Sequence, residues 1–373
     1  MKKSVIILLS ILPSFLASYA QLNSSGLSIS KEKSVVHENK PVELFKLTNA
    51  QGMCIKVTNF AASLTYVSTP DRDGNFEPVV LGFDSLESYF GKYPKFGNTV
   101  GRYANRIRNA ELRLNNQVYH LEKNFKGHSV HGGLKGFNQQ VFDTDTAYVV
   151  KDTAVVVFSY KSPHLEGGFP GTLNLRLAYK LTNRNEVILD YTATTDKATV
   201  INLTNHSYFN LTGCKEPVLN HTYMIKADSI TELDSISIPT GVVLPVAGTV
   251  YDFRSPQSVE NRIGKLGKGY DINYKLNNQS GRLELVAEVV EPISGRVLKA
   301  YTTEPGVQFY IPGSNMDYLT GHGGRTYGKY YGFCLEMQHF PDSPNHPQFP
   351  TTVLLPGEVY RQTTIYKFET LSK

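Results

Sequence analysis

LNLRLAYKL, residues 173–181, is the stretch that decides the fold. Leu173, Leu175, Leu177, Tyr179 and Leu181 occupy every second position. A period of two places these five side chains on one face of an extended strand, and Asn174, Arg176 and Lys180 on the other. The pattern continues on both sides. Residues 282–289 alternate loosely and residues 296–302 follow them. The connection holds Pro292 and Gly295, so the two runs predict a hairpin. Residues 110–114 and 118–121 flank Asn115 and Asn116, a second hairpin signal. Residues 187–192, 307–311 and 331–337 are further strand candidates. Stripes at helical spacing are few, and only 85–90 and 256–266 can form short helices. Strands every 8–12 residues with turn residues between them predict an all-β chain, a large antiparallel sandwich or barrel.

Composition agrees with a globular chain. Of 373 residues, 40% are hydrophobic and 19% charged, which separates the chain from disordered sequences. Trp is absent while Tyr (23) and Phe (19) are abundant, a bias that suits strands. A net charge of +5 with scattered basic residues is no nucleic-acid footprint. Cys54, Cys214 and Cys334 form no CxxC and no disulfide framework, so buried free thiols are expected. No linker divides residues 30–372 and no fixed-period repeat is present. The expected organisation is a cleaved signal at 1–20, a flexible Ser-rich leader at 21–35 and one domain at 36–373.

The signal reading rests on Lys2 and Lys3, an apolar run over residues 5–16, and the small residues Ser18 and Ala20 before the cut. The run is too short for a membrane span, and Pro13 interrupts it. A periplasmic or secreted protein is expected, with no stable membrane insertion after cleavage.

Several segments place ionisable groups in strand-like surroundings: residues 101–107 (GRYANRI), 128–133 (HSVHGG), 202–210 (NLTNHSYFN) and 334–345 (CLEMQHFPDSPN). Residues 269–273 (GYDIN) are a weaker fifth. His206 follows the strand run 200–204 and Glu336 follows the run 331–335. An imidazole and a carboxylate at strand ends can serve as acid and base. Singly, each also reads as a satisfied core histidine or an ion-paired glutamate. Phosphate-loop and dinucleotide motifs are absent, as is HExxH. His128 and His131 are too few to specify a metal, so neither metal nor cofactor is expected. Asn202, Asn205 and Asn210 each open an N-x-[ST] sequon and are expected to stay unmodified.

Taken in order, these segments resemble the galactose mutarotase (aldose 1-epimerase) family. The likeness runs from residue 46 to 368. It includes Leu81-Gly82-Phe83-Asp84 with Tyr89, Asn105-Arg106-Ile107, His131-Gly132-Gly133 with Gly136-Phe137, and NHSYFNL at 205–211. It continues through Pro239-Thr240-Gly241, PVAGT at 245–249 with Asp252-Phe253, and TEPGVQF at 303–309. It closes with Leu335-Glu336-Met337-Gln338, Pro341-Asp342 and Pro356-Gly357-Glu358. The resemblance implies the mutarotase-like supersandwich and a cleft on one face. The implied activity is interconversion of the α and β anomers of free hexoses such as galactose and glucose. It also implies that His206 donates a proton to the ring oxygen and that Glu336 takes one from the C1 hydroxyl, from opposite sides of the sugar. Asn105, Arg106, His131, Tyr208 and Asp271 are the implied substrate-binding residues. Asp271 stands in an altered context, because Ile272 follows it where the family usually has His. Arg102 is read as structural. The implied partner is a small aldose, to a monomer or homodimer. Other readings are a sugar-binding sandwich without turnover, a glycoside hydrolase-like enzyme with a mismatched acid, and a phosphosugar epimerase, which would need an added basic cluster.

Overall fold

The computed structural model describes residues 21–22, 25–314, 316 and 319–372; the signal expected at 1–20 lies outside them. Every ladder between its strands is antiparallel, as the hairpin signals predict. Strand Leu173–Thr182 lies third in a nine-stranded sheet, between Thr153–Ser162 and Glu186–Thr195. Its alternation is realised: Leu173, Leu175, Leu177, Tyr179 and Leu181 are buried while Asn174 and Arg176 face water. Each such burial contributes roughly 1.5–3 kcal/mol.

A six-stranded meander supplies the facing layer, running from Gln21–Leu22 through Lys40–Thr48 and Cys54–Thr58 to Phe76–Pro78. Phe45 and Ile55 of the meander share one apolar cluster with Leu177, Tyr179 and Leu189. A third sheet, of five strands, runs in the order Pro239–Pro245, Ser229–Leu233, Gly269–Lys275, Gly306–Pro312 and Cys334–Gln338. Phe309 and Ile311 join it to the same cluster.

Three expectations need correction. Part of the proposed flexible leader is a strand, Ser28–His37, paired with Lys40–Thr48. Ile29 is the buried residue of this strand and Val35 is partly buried, while its polar outward face gave the loose appearance in sequence. Residues 256–266 form no continuous helix: Gln257–Ser258 extends the nine-stranded sheet, and a single 3₁₀ turn follows at Ile263–Leu266. The helix expected at 85–90 is likewise a 3₁₀ turn, Leu86–Phe90. Cys54, Cys214 and Cys334 are buried free thiols.

Candidate active site

Register places the acidic residues. Asp271 pairs with Tyr310, and Tyr310 with Cys334; one row on, Asn273 pairs with Gln308, and Gln308 with Glu336. Paired residues of antiparallel strands share a face, so these six project from one side of the five-stranded sheet. The other side carries Ile272, Phe309 and Leu335, again paired in register, into the core. Ile272 therefore points away from Asp271, and the altered context leaves the Asp271 carboxylate on the cavity side. Glu336 was expected after a strand; it lies at the centre of Cys334–Gln338.

His206 arrives from a separate element. Strand Thr204–Asn205 pairs with Thr99–Val100, and the His206 backbone N–H then donates to Asn98 O at 2.9 Å. Gly97 closes the turn by donating to His206 O. A Cβ at Gly97 would lie 1.8 Å from Leu64 O, and its φ is +69°, so no other residue fits this approach. The ring of Tyr208 stacks on His206 with centroids 5.1 Å apart.

Asn105, Arg106 and His131 line the cavity next to His206, whose ring centroid lies 5.5 Å from that of His131. Strand Arg106–Ile107 pairs with Ser129–Val130, which brings the two motifs together. The Asn105 backbone N–H donates to His131 Nδ1 at 3.2 Å, and His131 N–H donates back to Asn105 O. His131 Nδ1 is thus an acceptor, and the neutral ring carries its proton on Nε2. Burial, with Lys95, His206 and Arg106 nearby, holds the His131 pKa well below the usual range. Arg106 donates to Asn105 Oδ1 at 3.1 Å and to Asp271 Oδ2 at 3.0 Å. Gln308 donates to Asp271 Oδ1 at 2.5 Å. Arg102 is structural: its buried guanidinium donates to the carbonyls of Ser162, Pro163, Pro170 and Gly171.

All seven expected site residues line one cavity of about 560 Å³. At its base His206 Nε2 and Glu336 Oε1 stand 3.7 Å apart. They are side by side, not on opposite sides of the cavity. Burial penalises charge on both. It pushes the Glu336 pKa up to about 8, with Asp271 adding to the rise, and pushes His206 down to about 3, with Lys95 adding to the fall. Glu336 Oε2 is buried and has no hydrogen-bond partner among the described residues. Cys334 Sγ lies 3.6 Å from His206 Nδ1, and burial raises its pKa far above the usual thiol range. His206, Cys334 and Glu336 offer ligand atoms within 4.8 Å of one another, a grouping that could hold a metal ion. A thiol kept protonated by burial opposes that use.

Sequence reasoning missed Lys95, Gln308 and Tyr310. Gln308 lies in the quoted TEPGVQF motif, and its period-two offset from Tyr310 was the available signal. Lys95, between Pro94 and Phe96, carried none.

Residues 43–367 match the family model described as aldose 1-epimerase. The chain belongs to the aldose 1-epimerase family. It is 40% identical to galactose mutarotase of Rattus norvegicus over 88% of this chain and 94% of that one. It is 33% identical to aldose 1-epimerase of Escherichia coli K12, over 89% and 96%. The crystal structure of galactose 1-epimerase from Lactobacillus acidophilus superposes with a TM-score of 0.81 at 29% identity, covering 93% of this chain and 99% of that one. The large antiparallel sandwich is therefore the family fold, and the protein is an isomerase that interconverts sugar anomers.

Proposed function

We propose that His206 and Glu336 carry out the anomer exchange on free hexoses such as galactose and glucose. The observation that carries this reading is the 3.7 Å contact between Nε2 and Oε1 at the base of the cavity. The ring oxygen and the hydroxyl oxygen of a hemiacetal are both bonded to C1. An acid and a base serving them must therefore stand next to each other, as these two do.

In opening, the Glu336 carboxylate takes the C1 hydroxyl proton and the C1=O bond forms. The bond from C1 to the ring oxygen breaks, and that oxygen takes the Nε2 proton of the imidazolium. Glu336 is then a neutral acid and His206 a neutral base. Rotation about C1–C2 presents the other aldehyde face, and the same two transfers in reverse close the ring. The pair holds one proton before opening and one after it, so the cycle needs no redox partner and no metal. Each positioned acid or base contributes about 10²–10⁴-fold. Arg106, His131, Asn105 and Asp271 hold the ring hydroxyls while C1 turns, and Tyr208 backs the imidazole. Polarimetry of freshly dissolved α-galactose and α-glucose, with and without EDTA, tests the reading. Accelerated mutarotation that survives chelation is expected; no acceleration with either sugar overturns it.

The substrate then meets the protein outside the cytoplasm. This proposal rests on the basic start, the apolar run and the Ser18–Ala20 cut. N-terminal sequencing of protein from its native host should begin at Gln21. A cytoplasmic chain retaining Met1 would refute export.

A further inference from the structure

The cavity holds a cation that the reaction with a neutral sugar does not use. Lys95 lines it beside His206, His131 and Glu336, partly buried, with Lys92 at the rim. The Lys95 ammonium makes no hydrogen bond or ion pair among the described residues; the charge acting on it is that of Glu336. Arg106, also in the cavity, is already matched by Asp271. Lys95 is also held at φ +65°, a conformation unfavourable for a residue with a Cβ. The surrounding turn enforces it: Asn98 N–H donates to Lys95 O, and the Asn98 side chain bonds to Tyr93 and Ser63. A partly buried charge with no partner among the described residues, held at the cavity by its turn, is available to a ligand.

We propose that Lys95, with Lys92 behind it, receives the C6 carboxylate of a hexuronic acid, so that the preferred aldoses of this protein are sugar acids. The inference rests on the reading above, which puts His206 at the ring oxygen. C6 is carried by C5, the carbon bonded to that oxygen, so a cation close to His206 is close to the C6 substituent. Oxidation of C6 to a carboxylate supplies the counter-charge that the hydroxymethyl group of galactose lacks. Binding the carboxylate offsets the burial that lowers the Lys95 pKa. A phosphate ester is the other anionic sugar. As a dianion it is usually gathered by arginine forks and several backbone N–H groups, and at this end of the cavity the cations are two lysines.

The test is kcat/KM for D-galacturonate, D-glucuronate, D-galactose and D-galactose 6-phosphate, measured by exchange NMR on wild type, Lys95→Met and Lys95→Arg. In the wild type a uronate should exceed galactose by about 10-fold or more. Lys95→Met should lower the uronate-to-galactose ratio about 10-fold to 100-fold, as expected for loss of a charged hydrogen bond, and Lys95→Arg should restore part of it. Thermal melts establish that each variant is folded, and the wild-type ratio tests the inference without any variant. Galactose turned over as fast as either uronate overturns the inference, and so does equal loss of both sugars in Lys95→Met. A phosphate ester preferred over the uronates also overturns it. In each of these cases anomer exchange on aldoses still stands. Failure of all four sugars would instead remove the proposed function itself.

Discussion

On the three strands Gly269–Lys275, Gly306–Pro312 and Cys334–Gln338, one face presents Ile272, Phe309 and Leu335, and the other presents Asp271, Gln308 and Glu336. The apolar trio is buried, as are Gln308 and Glu336, while Asp271 is partly exposed to the cavity. The first face is satisfied by contact alone, since close packing is all that an apolar side chain needs. The second buries polar atoms that have no partner among the described residues: Glu336 Oε2, Gln308 Oε1 and both amide atoms of Asn273 and of Gln338. A buried unpaired polar atom costs about 1–3 kcal/mol. A sheet that keeps several of them on one face gives up stability there, and the groups it leaves available are those that can bond a polyhydroxylated ligand. The apolar face offsets that cost from the other side of the same strands.

The largest effect expected from breaking this division is on turnover. Glu336→Gln keeps shape and removes the base, so kcat should fall about 10²–10⁴-fold. His206→Asn should do likewise, and the double variant should be little worse than the worse single one, because both act in one step. Stability should move the other way. The folded pKa of Glu336 lies above its unfolded value, so its protonation contributes stability that is complete below the ordinary carboxylate range and lost as pH rises to about 8. Glutamine does not titrate, so the melting temperature of Glu336→Gln relative to wild type should climb as pH is raised from 4.5 to 8. A lower melting temperature with an intact rate would make Glu336 a structural residue. The same pair fixes the pH profile. One shared proton is required, so kcat/KM should be bell-shaped, falling below about 3 as His206 gains a proton and above about 8 as Glu336 loses one. From the ordinary values of the two groups, the lower limb would be assigned to the carboxylate and the upper to the imidazole; burial exchanges them.

Leu335→Ala tests the other face at the residue next to Glu336. It should destabilise the fold by about 2–5 kcal/mol, read by denaturant titration, while the specific rate of the folded fraction stays within about 10-fold of wild type. Loss of rate with unchanged stability would mean that the two faces are not separable.

Asp271→Asn should have a smaller effect. Asp271 anchors Arg106 and Gln308 and raises the pKa of Glu336 by like charge. Its removal should lower kcat/KM about 10-fold, the scale of one charged hydrogen bond, and move the alkaline limb to lower pH. The direction of that move is the discriminating result. A limb that rises or stays would show that Asp271 does not act on Glu336.

The strands and hairpins were legible because alternation is local: residues 173–181 and the Pro292–Gly295 turn announce themselves within a dozen residues. The motifs in family order also singled out seven residues that line one cavity. The arrangement of the site was not legible. Arg106 and Asp271 meet across 165 residues of chain, and His206 reaches Cys334 across 128. Sequence gives each strand's period but not the register between strands, and register is what puts Gln308 beside Glu336. Lys95 was invisible for a different reason. A single lysine reads as solvated surface until a turn with positive φ is seen to hold it in a cavity. The Ser28–His37 strand escaped notice because its pairing with Lys40–Thr48, and not its own composition, makes it regular.

The smallest expected effect comes from Ile272, one residue from Asp271 and facing the other way. Ile272→Val removes one methylene from the buried side, where Phe309 is its register partner. The cost should be about 0.5–1.5 kcal/mol, a shift that denaturant titration resolves. Sugar kinetics should not change, because valine has the same β-branch, keeps the strand extended and leaves the Asp271 carboxylate aimed at Arg106. Ile272→His should separate the faces more sharply. An imidazole at this position would enter an apolar layer with no polar partner, so it should destabilise the fold well beyond the valine variant. If the histidine were instead tolerated and changed the sugar preference, residue 272 would have to reach the cavity, and the assignment of the two faces along Gly269–Lys275 would be wrong.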